Sequence, residues 1–125
     1  VSNVRTTVIN IRPNTRPTIQ SFTINKNVVD EGGRVTFLAR NVQDNGGINR
    51  VAFFFDSNNN GRFDIATDRF LTNGVKQGAS NNWRKLYTLP TTLPTGTRTL
   101  FAVAFDNLDV RGGVKSDTLR IRADT

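Results

Sequence analysis

FFFDSNNNGRFDIATDRFL, residues 53–71, decides what kind of chain this is. It opens as an aromatic extended run, passes through a loop of Asn, Gly and Asp, and closes on a short apolar run at residues 69–72. Asn and Asp bond their own backbone and Gly accepts positive φ, so the middle is a turn and its flanks read as paired strands. The acidic side chains admit a second reading. Oxygens at alternate positions around a glycine suit a hard cation such as Ca²⁺. Asp56, Asn58 and Asn60 fall at such positions, Arg62 offers its backbone carbonyl, and Asp64 and Asp68 complete a candidate ligand set. Thr67 stands where a bidentate Glu should close the loop, so an ion held here would bind with a Kd of roughly 10⁻⁴ to 10⁻³ M. Without an ion, the same residues form a hairpin tip bonded to its own backbone.

Outward from this hairpin the side-chain period is two almost everywhere, the signature of strands. Residues 18–24 set Ile19 against Phe22 and Ile24, with an irregularity expected at Gln20-Ser21. Residues 34–40 alternate Val35, Phe37 and Ala39 inward, and residues 48–55 carry Val51, Phe53 and Phe55 on one face. Trp83, Tyr87 and Leu89 share a face of residues 82–89. Residues 97–105 are apolar on both faces, with Phe101, Val103 and Phe105 on one and Leu100, Ala102 and Ala104 on the other. Turns fall at residues 30–33, 44–47, 73–74 and 111–113, each carrying glycine. No stretch sustains a 3.6-residue period, which argues against an α/β fold. The expected fold is all-β, an antiparallel sandwich of about seven core strands with an extra N-terminal strand. Its expected core includes Phe37, Val51, Phe53, Trp83, Phe101 and Val103.

At 125 residues the chain is one domain's worth and long enough for a buried core. It has no Cys and no His, which removes disulfides, thiolate metal sites and the commonest general base. Its serines have no base partner signature, so an enzyme is not expected. No apolar run is long enough to span a bilayer. Without a Met or a leader at its start, the chain reads as a mature product or a piece of something longer. The net charge is +7, and arginine supplies 13 of the 17 basic residues. They are scattered rather than clustered, so nucleic acid is not expected; the charge reads as a solvated basic surface, or as attraction to an acidic partner such as an anionic glycan, lipid headgroups or a neighbouring subunit.

Several motifs in order give the chain a relative. Pro17-Thr18-Ile19, Gly32-Gly33, Asp44 to Gly47, Phe53 to Gly61, Trp83, Leu93 to Gly96 and Ala102 to Asp106 follow one another along residues 15–122. In this order they resemble the bacterial immunoglobulin-like modules that stand in tandem in large extracellular surface proteins. The resemblance implies an immunoglobulin-like β-sandwich, a structural role in a stalk, adhesin or filament, and a location on the bacterial surface or in the medium. It names no ligand.

Residues 1–14 precede the usual start of such a module. VSNVRTTVINIR at 1–12 is similar to VKSDTLRIR at 114–122, as though a preceding module's last strand had been kept. Residues 1–14 therefore read as an extension strand and linker, and 15–125 as the sandwich. This segment is a loose terminus, or, since an unpaired β-branched strand seeks a partner, it pairs in this domain or in another copy. Because strands 48–55 and 97–105 are apolar on both faces, the outer face is either covered, by the N-terminal segment or by another chain, or carries a small exposed patch centred on Phe54. Val4, Val8, Ile9 and Ile11, with Phe54, Leu100 and Ala102, are the candidate assembly surface, and neighbouring copies or adjacent modules the expected partners. The alternative is an accessory binding module that takes an acidic polysaccharide through its arginines.

Overall fold

The computed structural model describes residues 16–123 as two antiparallel-rich sheets packed face to face. Its strands are β1 (Thr18–Ile24), β2 (Val28–Asp30), β3 (Arg34–Gln43), β4 (Ile48–Phe55), β5 (Arg69–Asn73), β6 (Val75–Lys76), β7 (Trp83–Thr88), β8 (Gly96–Asp106) and β9 (Arg111–Arg122). One sheet runs β1-β3-β7-β6 and the other β2-β9-β8-β4-β5. The expected strand within residues 4–12 lies outside the described residues.

Two strands too short to show a period, β2 and β6, exist because the chain changes sheets there. After β1, Asp117 on β9 accepts the Ile24 N–H at 2.9 Å. Four residues later β2 begins and runs parallel to the end of β9, Val28 opposite Arg120 and Asp30 opposite Arg122. After β5, Gly74 still donates to the Val51 carbonyl of β4 at 2.7 Å, yet Val75 already pairs with Arg84 in the other sheet. A Cβ on Gly74 would come within 3.1 Å of the Phe53 ring and 3.3 Å of Trp83 Cβ, so glycine lets the backbone cross against the core.

The irregularity expected at Gln20-Ser21 is present and has a mirror image. Burial in β1 skips from Ile19 to Phe22, and in β3 from Ala39 to Val42. The two strands stay in register through it, with Ile19 opposite Val42 and Phe22 opposite Ala39. Asn41 supplies the kink by taking a φ of 52°, which Asn tolerates better than most residues.

Phe22, Phe37 and Phe53 meet between the sheets, with ring centroids 4.9–6.0 Å apart, and Tyr87 stacks on Phe37. Phe37, Val51 and Phe53 are fully buried, and Trp83 packs half-buried against them. Phe101 and Val103 are not part of this core. Leu100, Ala102 and Ala104 fill it instead, so β8 presents the opposite face from the one expected. The pairing with β4 explains why. Residues directly opposite share a face, and Phe53 pairs with Ala102 while Phe55 pairs with Leu100. A bulky ring on one strand meets a methyl on its neighbour, which keeps the layer at even thickness.

Candidate functional site

Residues 56–68 join β4 to β5 and carry the expected cation ligands. The structure uses their oxygens on the backbone. Asp56 is fully buried; its carboxylate accepts the Gly61 N–H at 2.7 Å and the Asn60 N–H at 3.4 Å. Asp68, also buried, accepts from Ser57 N at 3.1 Å and Asp64 N at 2.7 Å. Asp64 accepts from Ala66 N, and Asn60 from Arg62 N. Asn58 lies exposed in the turn. The acidic groups therefore close a set of Asx-type turns. Among the described residues no three acidic side chains gather as a metal group. Asp106 repeats the device at the end of β8, where its Oδ1 accepts from Leu108 N and Val110 N, both at 2.9 Å. All three buried carboxylates thus hold loops that follow strands or precede them.

The same loop has a second role that its polar composition conceals. Phe63, beside the candidate ligands, folds back over the outer face of the five-stranded sheet. There it meets Phe54 edge-on at 4.7 Å and Phe101 at 5.7 Å. Phe54, Phe101, Val103, Phe105 and Ala52 form a buried cluster beneath it. Phe70 adds an edge contact to Phe54, and the Arg50 guanidinium lies 3.7 Å over the Phe105 ring. The outer face is buried rather than an exposed patch, and among the described residues the acidic loop, not foreseen as a cover, contributes to it. Of the proposed assembly residues, Phe54 is under this loop, and Leu100 and Ala102 are inside the sandwich with no exposed surface. Val4, Val8, Ile9 and Ile11 lie outside the described residues.

Beside Phe63 the surface carries a groove of about 470 Å³ lined by Arg16, Arg62, Arg111 and Val114. Three stretches far apart in sequence meet here. Arg62 comes from the acidic loop, Arg111 opens β9 with its guanidinium 5.1 Å over the Phe63 ring, and Arg16 leads into β1. Gly112 and Gly113 make the approach possible. A Cβ on Gly112 would fall 2.6 Å from both Arg16 Cβ and the Pro17 carbonyl, and one on Gly113 2.8 Å from that carbonyl. The sequence carried a trace of this in the Arg111-Gly112-Gly113 turn, but nothing in it tied residue 111 to residues 16 and 62.

No protein-family model matches the chain, and no curated protein is detectably similar to it. Solved structures share its shape. The chain is similar to the fibronectin(III)-like modules of CbhA from Clostridium thermocellum at 17% identity and a TM-score of 0.57, over 86% of this chain and 47% of that one. It is similar to the PKD domain of an M14-like peptidase from a Thermoplasmatales archaeon at 13% identity and a TM-score of 0.51, over 88% and 99% of the two chains. The chain is an immunoglobulin-like β-sandwich. A Niemann-Pick type C2 protein from the Japanese carpenter ant also aligns, at 8% identity and a TM-score of 0.56, over 93% and 100%. At these identities the likeness concerns the fold alone. The immunoglobulin-like chain spans just under half the length of the CbhA chain it matches. No described helix is long and apolar enough to cross a membrane.

Proposed function

We propose that this domain is a non-enzymatic module of an extracellular bacterial surface assembly, joined end to end with neighbouring modules or copies through its terminal strands. One observation carries the reading. Arg16, where the described chain begins, is held against Gly112 at the start of β9, whereas the described chain ends just past Arg122 at the other end of that strand. Ten residues of extended strand separate the two points by about 30 Å, at roughly 3.3 Å per residue. The entry and exit of the sandwich therefore lie at opposite poles, the geometry that lets modules follow one another in a line. The absence of any His or Cys in the sequence, and the use of the buried carboxylates as loop caps, support a non-catalytic role.

Light-scattering mass and negative-stain imaging of the full chain, and of a form lacking residues 1–14, test this. Oligomers or filaments that vanish on truncation are expected. Monomers in both forms at high concentration would remove the N-terminal strand as a link between copies.

A further inference from the structure

We propose that the groove between Arg16, Arg62 and Arg111 is a binding site for the oxyanion of an acidic sugar, a uronate carboxylate or a sulfate ester. The proposal gives a place to the reading that this surface takes an anionic glycan, and it does not depend on end-to-end assembly.

Three arginines line one groove, and no acidic residue lines it with them, while Arg16 also borders a neighbouring groove that Asp44 lines. Among the described residues the ion pairs are Arg50 with Asp109 and Arg122 with Asp30, and neither involves the groove. Like charges held together raise one another's energy, and a bound oxyanion reverses that cost. Guanidinium suits the task because its planar fork matches two oxygens at once, which carboxylate and sulfate both offer.

The arginines are also placed rather than merely present. The glycine pair holds the Arg16 backbone against β9, and Pro17 beside it is buried. Asn60 fixes the backbone of Arg62 by accepting its N–H at 3.0 Å. Arg111 rests over Phe63, which is itself wedged between Phe54 and Phe101. Phe63 and Val114 give the groove an apolar wall beside its charged rim, a pairing suited to a sugar that carries C–H surface next to an anionic group. The groove is open, so it accepts a residue within a polymer rather than demanding a chain end.

Calorimetric titration of the full chain tests the site with four probes: a galacturonate hexamer, a sulfated hexamer of the heparin type, a neutral glucose hexamer and inorganic sulfate. At least one acidic hexamer should bind and the neutral one should not. Arg62→Gln should weaken binding about tenfold, the loss of roughly one charge-assisted pair. Arg84→Gln removes the same charge from exposed β7 in the other sheet and should change affinity by no more than about twofold. Arg62 is exposed, so its replacement should leave the melting midpoint in place, which confirms that the variant is folded. Equal losses in the two variants would overturn the groove and leave only diffuse attraction to the basic surface. No binding of either acidic hexamer would overturn both the groove and the glycan reading. Inorganic sulfate binding as tightly as the hexamers would overturn the sugar assignment. Which acidic hexamer binds more tightly decides between carboxylate and sulfate.

Discussion

Replacing Asp56 separates the two readings of the acidic loop. Its carboxylate is fully buried and bonds the Gly61 N–H at 2.7 Å and the Asn60 N–H at 3.4 Å. Asp56→Ala removes the acceptor from both. The short bond is charge-assisted and worth about 1.5–3 kcal/mol, and the second, at its greater length, adds less than about 1 kcal/mol. The total is about 3 kcal/mol, which for a domain of this size lowers Tm by roughly 10 °C. Asp56→Asn keeps one oxygen, which can still accept from Gly61, so only the long bond and the charge are lost. That variant should cost about 1 kcal/mol, or roughly 4 °C. Both losses should be the same in EDTA and in millimolar Ca²⁺, since the bonds run to backbone N–H groups. Calorimetric melts of the three proteins in both buffers make the comparison. The reasoning is refuted if Ca²⁺ raises the midpoint of the unaltered protein and Asp56→Asn abolishes that rise, because a ligand that binds only the folded state must stabilise it.

Phe63→Ala uncovers the outer cluster; since the ring is half-buried, denaturant titration should show a loss of about 2 kcal/mol, below the usual range for fully buried Phe, together with new binding of a hydrophobic dye. Ala102→Leu tests the packing of Ala102 against Phe53: the extra atoms should cost about 2 kcal/mol, and a cost under about 0.5 kcal/mol, usual at an open surface, would contradict that packing. The single tyrosine, Tyr87, has its phenol pushed above the ordinary 10.0 by burial, with Arg69 pulling partly the other way. The folded phenol thus keeps its proton to higher pH than the unfolded one. Its contribution is whole below the unfolded value and is lost as pH rises through the folded one. Phenolate absorbance should therefore rise later in the folded protein than in urea, and coincident curves would contradict the burial.

The sandwich was legible because β7 and the first half of β3 alternate cleanly, and a half-buried strand can face only one way. The facing of β8 was not, because a strand apolar on both sides carries no parity of its own. It inherits one from Phe53 and Phe55 on β4, across 40 or more residues of chain. β2 and β6 escaped notice since two or three residues cannot display a period. In the acidic loop, spacing alone suits a cation and a cap equally, and the backbone N–H groups that the side chains accept from could not be read from it. Phe63 was visible as an aromatic stranded among polar residues, but its partners on β4 and β8 were not. The arginine groove depends on the fold entirely, with its members drawn from residues 16, 62 and 111.

The parallel pairing of β2 with β9 acquires a meaning once tension is considered. A pull on the two poles drags β1 and β2 toward the entry end while it drags β9 toward the exit. The bonds between β2 and β9 run across that direction, so they are sheared together rather than unzipped one at a time. The patch is short: Arg120 N to the Asn27 carbonyl and Glu31 N to the Arg122 carbonyl, both 2.9 Å, with the Arg122–Asp30 ion pair at 3.0 Å beside them. Its few bonds must fail nearly simultaneously, and they share the load with the β1–β3 ladder that the entry end pulls on first. Part of the resistance to extension in this domain would thus reside in three residues at one corner, and substitutions there would change the rupture force more than the melting temperature.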